Sequence, residues 1–309
     1  MKMNSAMEKI FYFIDNHATN IQKEQDLSYL ESLLETTETW LDGHIKPAEE
    51  AGKEDVRKAI QLAVLKGMKE HVQPHHQMTP DALGLLMGYL VELFLKDQKA
   101  TIMDPALGTG NLLLTVMNYL DGQMTGVGVE IDDLLIRLAA SAADLVEQPV
   151  TFYRQDALQP LLIDPVDAVI ADLPVGYYPD EETAAGYDLK AEEGMSYAHH
   201  LFIEQALKHT VDGGYLFFVI PKALFESPQS GQLHLFLKKH AHIQSVMELP
   251  NTLFKNSAYA KGILILQKKK EGVKAPKEVL LAVVPNMSKP EPMAKFFSQV
   301  SGWFKENKA

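Results

Sequence analysis

A loop of small residues at positions 104–114 holds the first residue types and spacing that can support chemistry. Asp104 opens the loop, and Gly108 and Gly110 let its backbone turn tightly beneath a ligand before a predicted helix begins. The loop is not a P-loop, because no Gly-Lys-Ser/Thr run follows it, and Leu113 stands where a dinucleotide fingerprint has its third glycine. The pattern therefore predicts a small-ligand site and disfavours both ATP and NAD.

Acidic residues follow this loop at the ends of the next two predicted strands. Glu130 lies about 20 residues beyond the loop, where a carboxylate can accept both hydroxyls of a ribose. Asp156 follows the third strand and can accept a hydrogen bond from the exocyclic amine of adenine, while Asp104 can approach a cationic amine. The ordered set predicts an adenosine ligand that carries no pyrophosphate.

The elements that position these residues follow from residue 100 onward, where short apolar strands alternate with helical patterns. We predict strands at 101–104, 125–130, 150–154, 168–171, 215–220, 243–248 and 262–267. This alternation is typical of an α/β fold with a Rossmann-like, seven-stranded, mostly parallel sheet. A further apolar run at 279–284 and a final helix around 293–304 come after a Lys/Gly/Pro-rich connector.

A run at the end of the fourth strand, Asp-Leu-Pro-Val-Gly-Tyr-Tyr-Pro at 172–179, resembles the Asn/Asp-Pro-Pro-Tyr/Phe motif of amino-methyltransferases. The chain is similar to the N6-adenine DNA methylase family, which includes methylation subunits of type I restriction-modification systems, and within it to the short YtxK-type proteins. The similarity spans roughly residues 77–268 and also rests on Gln-Met-Thr-Pro at 77–80, Gly-Val-Glu-Ile-Asp at 128–132, Asp-Gly-Gly-Tyr at 212–215 and Glu-Leu-Pro at 248–250.

This resemblance implies a class I methyltransferase that uses S-adenosylmethionine (SAM). Apolar residues at three-to-four-residue spacing over the first 75 or so positions predict helices, and we divide the chain into an N-terminal helical domain (1–75), a catalytic domain (76–270) and a C-terminal strand and helix extension (271–309). Thr79 is the predicted N-cap and Pro80 the first residue of the helix that follows, and we expect the helical domain to cover the cofactor. The implied SAM contacts are Gln77, Met78, Thr79, Asp104, Ala106, Gly108, Gly110, Asn111, Leu112, Glu130, Ile131, Asp132, Asp156, Ala157 and Asp172.

The Asp172 motif suits an amine acceptor. An amine conjugated to a ring or carbonyl is a poor nucleophile, so acceptors aimed at its N–H groups favour the geometry of attack. Asp172 can accept one N–H through its carboxylate and Leu173 another through its carbonyl, while Pro174 stiffens the turn. Leu173 replaces the family's usual first proline and Val175 the aromatic residue that stacks on the target base. Tyr177 and Tyr178 are the candidates for that stacking.

The charge distribution bears on the acceptor. The formal net charge is −12, and residues 172–197 contain seven acidic residues against one basic residue, Lys190, so phosphate is repelled there. Residues 261–309, by contrast, contain 10 lysines and 4 acidic residues, a net charge of +6. Because the chain has no room for a sequence-reading domain, we expect any DNA specificity to come from a partner subunit.

Three alternatives therefore stay open beside an N6-adenine DNA methylase. One is a protein N-methyltransferase of the glutamine type, which an acidic mouth suits. Another is a catalytically inactive, SAM-binding regulatory protein, suggested by the residues at 173 and 175. An NAD oxidoreductase is the weakest, because of Leu113.

Other features set the class of protein. No run of 18 apolar residues, no signal-peptide pattern and no cysteine occur, so we expect a soluble, cytoplasmic protein without disulfides or thiolate metal sites. The histidines lack the four-ligand pattern of a structural zinc site, so we predict no metal. We expect them on the surface or at helix ends: His71, His75, His76, His199 and His200.

Overall fold

The computed structural model describes residues 5–48, 50–70, 78–95, 99–122, 124–254 and 260–308. In chain order these residues form α1 (Ala6–Gln25), α2 (Tyr29–Leu41), α3 (Lys53–Glu70), α4 (Asp81–Leu95), β1 (Ala100–Asp104), α5 (Asn111–Tyr119), β2 (Met124–Glu130), α6 (Asp133–Leu145), β3 (Val150–Arg154), β4 (Val166–Asp172), α7 (Glu181–Ala184), α8 (Ala198–Lys208), β5 (Thr210–Pro221), α9 (Ser230–His240), β6 (Ala241–Glu248), a 3-10 turn (Asn251–Leu253), β7 (Lys261–Lys268), β8 (Leu280–Val283) and α10 (Pro290–Lys308). The predicted α/β class is confirmed.

The chain forms two compact units. The first comprises Met1–Gly88 and Leu107–Asp156, and the second comprises Tyr89–Ala106 and Ala157–Ala309. The boundaries predicted from sequence at 75 and 270 stay a prediction. The helices of the predicted N-terminal domain belong to the same unit as the glycine loop, β2 and β3.

The first unit has a core between its N-terminal helices and α6. Ile14 of α1, Leu33 of α2 and Ala63 of α3 are fully buried in one apolar cluster that also contains Leu138 of α6. Capping boxes at Ser5 and Ser28 begin α1 and α2. In each box the serine side chain accepts from the backbone amide of a glutamate three residues later, and the carboxylate of that glutamate accepts from the backbone amide of the serine. In the same unit, β2 and β3 pair in parallel. The apolar spacing therefore predicted these helices correctly.

The second unit contains six strands in the order β1-β4-β5-β7-β6-β8. β1, β4 and β5 are parallel neighbours, β7 runs antiparallel between β5 and β6, and β8 is parallel to β6. The carboxyl ends of β4 and β5 consequently lie at one edge of the sheet, together with the first residue of β7. The side chains of Phe217 and Phe218 on β5 are fully buried.

Two details of the prediction were wrong. The described residues contain eight strands instead of seven, because the apolar run after residue 278 pairs with β6 at Ser245 and Leu280. Sequence pattern did not reveal this distant partner. Helix α4 also begins at Asp81, one residue later than predicted, and Pro80 contributes the carbonyl that accepts from Gly84 N at 3.0 Å. None of the described helices combines the length and apolar character needed to cross a membrane.

Candidate functional site

The glycine loop is held tightly in the first unit. Gly108 (φ 57°) and Gly110 (φ 77°) have left-handed backbone conformations, which a residue with a Cβ adopts only with strain. The amide of Leu107 donates to the carbonyl of Val129 (3.1 Å), which ties the loop to β2. A Cβ at Gly110 would lie 3.0 Å from the Cβ of Ala139. Both conformation and contact therefore favour glycine at position 110.

The Glu130 carboxylate organises the end of β2. Its Oε2 accepts from the amide of Gly108 (2.8 Å), and its Oε1 accepts from the amides of Ile131 (2.9 Å) and Asp132 (3.0 Å). A carboxylate offers about four lone-pair sites, so these three bonds orient it without using its full accepting capacity. Its predicted role as a ribose acceptor stays a prediction, and the structure adds a role in shaping the glycine loop.

The neighbours of Glu130 differ in their environments. Asp132 caps α6, because its carboxylate accepts from the amide of Leu135 at 3.0 Å. Ile131 exposes 66% of its surface and so presents an apolar face beside Glu130. Asp156 is half-buried and follows Gln155, whose amide donates to the carbonyl of Glu130 at 3.1 Å. These residues surround the end of β2 within one unit.

Asn111 connects the start of α5 to two other segments. Its Nδ2 donates to the carbonyl of Thr79 (2.8 Å), and its Oδ1 accepts from Nη1 of Arg57 (3.0 Å). Its neighbour Leu112 is buried, and Met78 is half-buried against the apolar core of this unit. Gln77 lies outside the described residues. Arg57 was missed by the sequence analysis.

Arg57 nevertheless carries a sequence signal. Positions 57, 60 and 64 share one stripe of a helix, and Ile60 and Val64 are buried apolar residues of α3. An arginine inside an apolar stripe predicts a buried partner for its charge.

Four of the predicted cofactor residues belong to the second unit: Asp104, Ala106, Ala157 and Asp172. Asp104 is buried at the end of β1, and its Oδ1 accepts from the amide of Ala106 at 3.0 Å. Ala157 is also buried. Their predicted contacts with the cofactor stay predictions.

The motif carboxylate is paired with a lysine that the sequence analysis did not single out. Asp172 ends β4 and Lys261 begins β7, and Nζ of Lys261 lies 2.6 Å from Oδ1 of Asp172. Both side chains are largely buried, with exposures of 15% for Asp172 and 20% for Lys261. The pairing follows from the antiparallel course of β7 along β5, where Lys261 is opposite Pro221.

Leu173 has a structural reason to differ from the proline of the wider family. Its amide donates to the carbonyl of Val219 at 3.1 Å, which extends the ladder between β4 and β5 by one bond. Proline has no N–H and would leave that carbonyl without this donor. The side chain of Leu173 is buried, whereas Val175 is exposed.

The tyrosines after the motif occupy different environments. Tyr178 is buried, but Tyr177 is 55% exposed and stacks on Tyr197 with ring centroids 4.9 Å apart and planes 15° apart. A side-chain hydrogen bond with Tyr177, burial and the nearby charge of Tyr177 raise the pKa of Tyr197. Of the two predicted candidates for base stacking, Tyr177 is therefore the accessible ring.

His199 and His200 lie in the first turn of α8, as the helix-end alternative predicted, but both are buried and neither is on the surface. The same prediction for His71, His75 and His76 concerns residues outside the described ranges. His199 stacks on Tyr197, and its ring meets that of His200 edge to face. Burial lowers the pKa of His199 to about 4, and burial together with the nearby charge of His199 lowers that of His200 to about 3. Both rings are consequently neutral at pH 7.

The basic run 268–270 begins at the last residue of β7, whereas Lys261 is the first residue of that strand. Seven residues of strand separate Lys268 from Lys261, which is about 23 Å at the usual rise per residue. Lys268 also lies 3.4 Å from the carboxylate of Asp212. The run is therefore remote from the Asp172 carboxylate.

Comparisons with known proteins agree with the geometry. The sequence matches the N-6 DNA Methylase family over residues 76–296. The uncharacterized protein YtxK of Bacillus subtilis (strain 168) is 47% identical over 321 residues, a match that covers 97% of this chain and 98% of YtxK.

Two solved structures are similar to this chain. One is described as a candidate class I SAM-dependent methyltransferase from Listeria monocytogenes; it is 44% identical with a TM-score of 0.91, and the match covers 98% of this chain and 100% of that one. The other is the methyltransferase subunit of a type I restriction-modification system from Streptococcus thermophilus. It is 15% identical with a TM-score of 0.66, covers 98% of this chain and 73% of its own, and shows a shared fold.

Proposed function

The chain belongs to the N-6 DNA methylase family of SAM-dependent methyltransferases, and we propose that it methylates a neutral amino group conjugated to a ring or carbonyl, as in adenine N6. The observation that carries this proposal is the Asp172–Lys261 pair at the carboxyl end of β4. Asp172 occupies the acidic position of the family motif, and Lys261 fixes the orientation of its carboxylate.

The residues of the first unit fit an adenosine-containing cofactor. No described atom lies within 4 Å of the position that a Cβ of Gly108 would take, so the loop is open on that side. Helix α5 begins at the loop without a side-chain cap among the described residues, and Glu130 is oriented beside it. SAM, when bound, supplies a methyl group on a sulfonium. Glu130, the loop and Asp156 would hold it.

The charges of Asp172 and Lys261 indicate which kind of amine the site accepts. The carboxylate of Asp172 can accept an N–H of the acceptor and thereby orient the acceptor nitrogen. Lys261 places a positive charge 2.6 Å from that carboxylate, which opposes binding of a second cation. A protonated lysine or arginine side chain is therefore a poor acceptor, whereas a neutral amine suits the site. Tyr177 offers an exposed ring for stacking.

A glutamine side chain is the second candidate acceptor. Its amide nitrogen is also neutral and conjugated, and the acidic segment 172–197 disfavours DNA phosphate. For a DNA acceptor, we propose that a partner subunit supplies the sequence specificity. We place the protein in the cytoplasm.

The first experiment measures both halves of the proposal. Isothermal titration with S-adenosylhomocysteine (SAH) tests the cofactor site, and tritiated-methyl SAM tests transfer to adenine-containing oligonucleotides and to a protein fraction. Asp172→Ala should retain SAH binding and lose transfer by at least about 100-fold, because it removes the accepting carboxylate. Asp212→Ala is the matched control, since Asp212 is another lysine-paired acid of the same sheet, at its opposite edge.

The outcomes separate the alternatives. A folded parent protein that does not bind SAH contradicts the methyltransferase proposal. Binding of SAH without methyl transfer to oligonucleotides or to the protein fraction favours a regulatory protein, and transfer unaffected by Asp172→Ala refutes the assigned role of this carboxylate.

A further inference from the structure

Arg57 is a buried cation whose five N–H groups all have partners. Its side chain is 2% exposed. Nε and Nη2 donate to Glu54 (both 2.8 Å), Nη1 and Nη2 donate to Asp81 (both 3.0 Å), and Nη1 also donates to Oδ1 of Asn111 (3.0 Å). A guanidinium has five donors in a fixed planar arrangement, so this set uses its full capacity.

These bonds join three helices of the first unit at specific points. Glu54 belongs to α3, Asp81 is the first residue of α4, and Asn111 is the first residue of α5, directly after the glycine loop. Asn111 also donates to the carbonyl of Thr79, two residues before α4. The network therefore connects two segments of this unit that the sequence predicts to contact the cofactor.

The helices in this network approach closely. A Cβ at Gly84 of α4 would lie 2.8 Å from Cγ2 of Thr115 on α5, and a Cβ at Gly88 would lie 2.8 Å from Cγ of Tyr119. Glycine at both positions lets α4 and α5 pack at short range, and Arg57 fixes their first residues. A small shift of either helix start would break bonds of fixed geometry.

Stability alone does not account for a charge at this place. A buried ion pair is often no more stabilising than apolar side chains of similar volume, because desolvation offsets the attraction. Burial also raises the pKa of Glu54, but the hydrogen bonds and charge of Arg57, with smaller contributions from Asn118 and Lys58, lower it to about 2. Glu54 and Arg57 are therefore both ionised at physiological pH. A directional, fully bonded charge fixes geometry better than an apolar contact does.

We propose that Arg57 is a positioning residue for the cofactor, which holds the Thr79 segment and the start of α5 in the arrangement that binds SAM. This inference rests on the proposed function, because it assumes that these segments contact SAM. Arg57 acts through Asn111 and Asp81, so its removal should lower cofactor affinity without removing a direct contact.

The test is isothermal titration of the full chain with SAH, with thermal unfolding of each variant measured in parallel. Arg57→Met keeps the length of the side chain and removes its donors, and Arg57→Lys keeps the charge but cannot bond two carboxylates and an amide at once. Both Arg57 variants should weaken SAH binding by about tenfold or more. This is the loss expected if only about a tenth of the molecules keep the arrangement of the Thr79 segment and α5 that binds SAH.

Thr37→Val is the matched control for lost stability. Thr37 and Ser141 form a buried side-chain hydrogen bond of 2.9 Å between α2 and α6 of the same unit. The variant should lower the unfolding temperature and leave SAH affinity unchanged at temperatures where it is folded. This comparison separates a positioning role from general destabilisation.

Each outcome of these titrations either supports or overturns the positioning role of Arg57. Weakened binding in the Arg57 variants, together with unchanged binding in Thr37→Val, supports the inference. Unchanged affinity in folded Arg57→Met, or full affinity in Arg57→Lys, overturns it while the proposed function survives. If Arg57→Met does not fold, Arg57→Lys decides in the same way. Failure of the parent protein to bind SAH overturns the proposed function and this inference together.

Discussion

The buried pair His199 and His200 predicts that the protein loses stability in mild acid. His200 is fully buried and His199 is 4% exposed, and Nδ1 of both rings and Nε2 of His200 have no hydrogen-bond partner among the described residues. Burial holds both rings neutral, with a pKa of about 4 for His199 and about 3 for His200 against an ordinary value of 6.5. An unfolded chain exposes both rings to water.

The direction and the size of this loss of stability follow from the protons that the folded and unfolded states bind. Below pH 6.5 the unfolded state binds protons that the folded state excludes, so the free energy of unfolding falls as the pH falls toward the folded values. Below pH 6.5 each pH unit costs about 1.4 kcal/mol per group. Of the range from pH 7 to pH 5 about 1.5 units lie below 6.5, so each histidine contributes a loss of about 2 kcal/mol, or about 4 kcal/mol for the pair. Above pH 6.5 their contribution is constant.

The assay is urea unfolding followed by circular dichroism between pH 5 and pH 8, for the parent and for His200→Phe. Phenylalanine keeps an aromatic ring beside Tyr197 and removes one titrating group. The variant should lose about 2 kcal/mol less than the parent from pH 7 to pH 5. Replacement of the exposed His44 by phenylalanine controls for loss of a histidine as such. If the free energy of unfolding falls equally with pH in the parent and in His200→Phe, the result would falsify the assignment of this pH dependence to His200.

Two further substitutions test the loop and the motif. Gly110→Ala should cost about 1–2 kcal/mol of stability, because an alanine must adopt φ 77°. It should also weaken SAH binding, because the new Cβ meets Ala139. Calorimetry measures both effects, and unchanged SAH affinity would contradict the assigned loop geometry. Leu173→Pro, which installs the usual family residue, should cost about 1–3 kcal/mol by leaving the carbonyl of Val219 without its donor. Leu173→Met keeps that N–H and should cost less than about 1.5 kcal/mol; equal unfolding free energies for the two Leu173 variants would refute the role of this hydrogen bond.

The strands show where local sequence was sufficient. β3 was predicted at its observed bounds, and β1 and β2 each begin one residue before their predicted starts. These runs are short, apolar and bounded by turn residues, so their pattern is local. β5 was predicted at 215–220 but begins at Thr210, because pairing of Thr210 with Val166 extends it through a polar, glycine-containing stretch. A pairing partner decided that extension.

The sites show the same division. The glycine loop, the acid that ends β2 and the motif that ends β4 were identified from sequence alone, because each is a short run whose backbone conformation and place after a strand are locally encoded. The partners of their side chains were decided by the tertiary structure. Arg57 bonds to Asp81 across 24 residues, and Lys261 bonds to Asp172 across 89. Only the packing of helices and the order of strands brings such residues together, and no local pattern encodes that order.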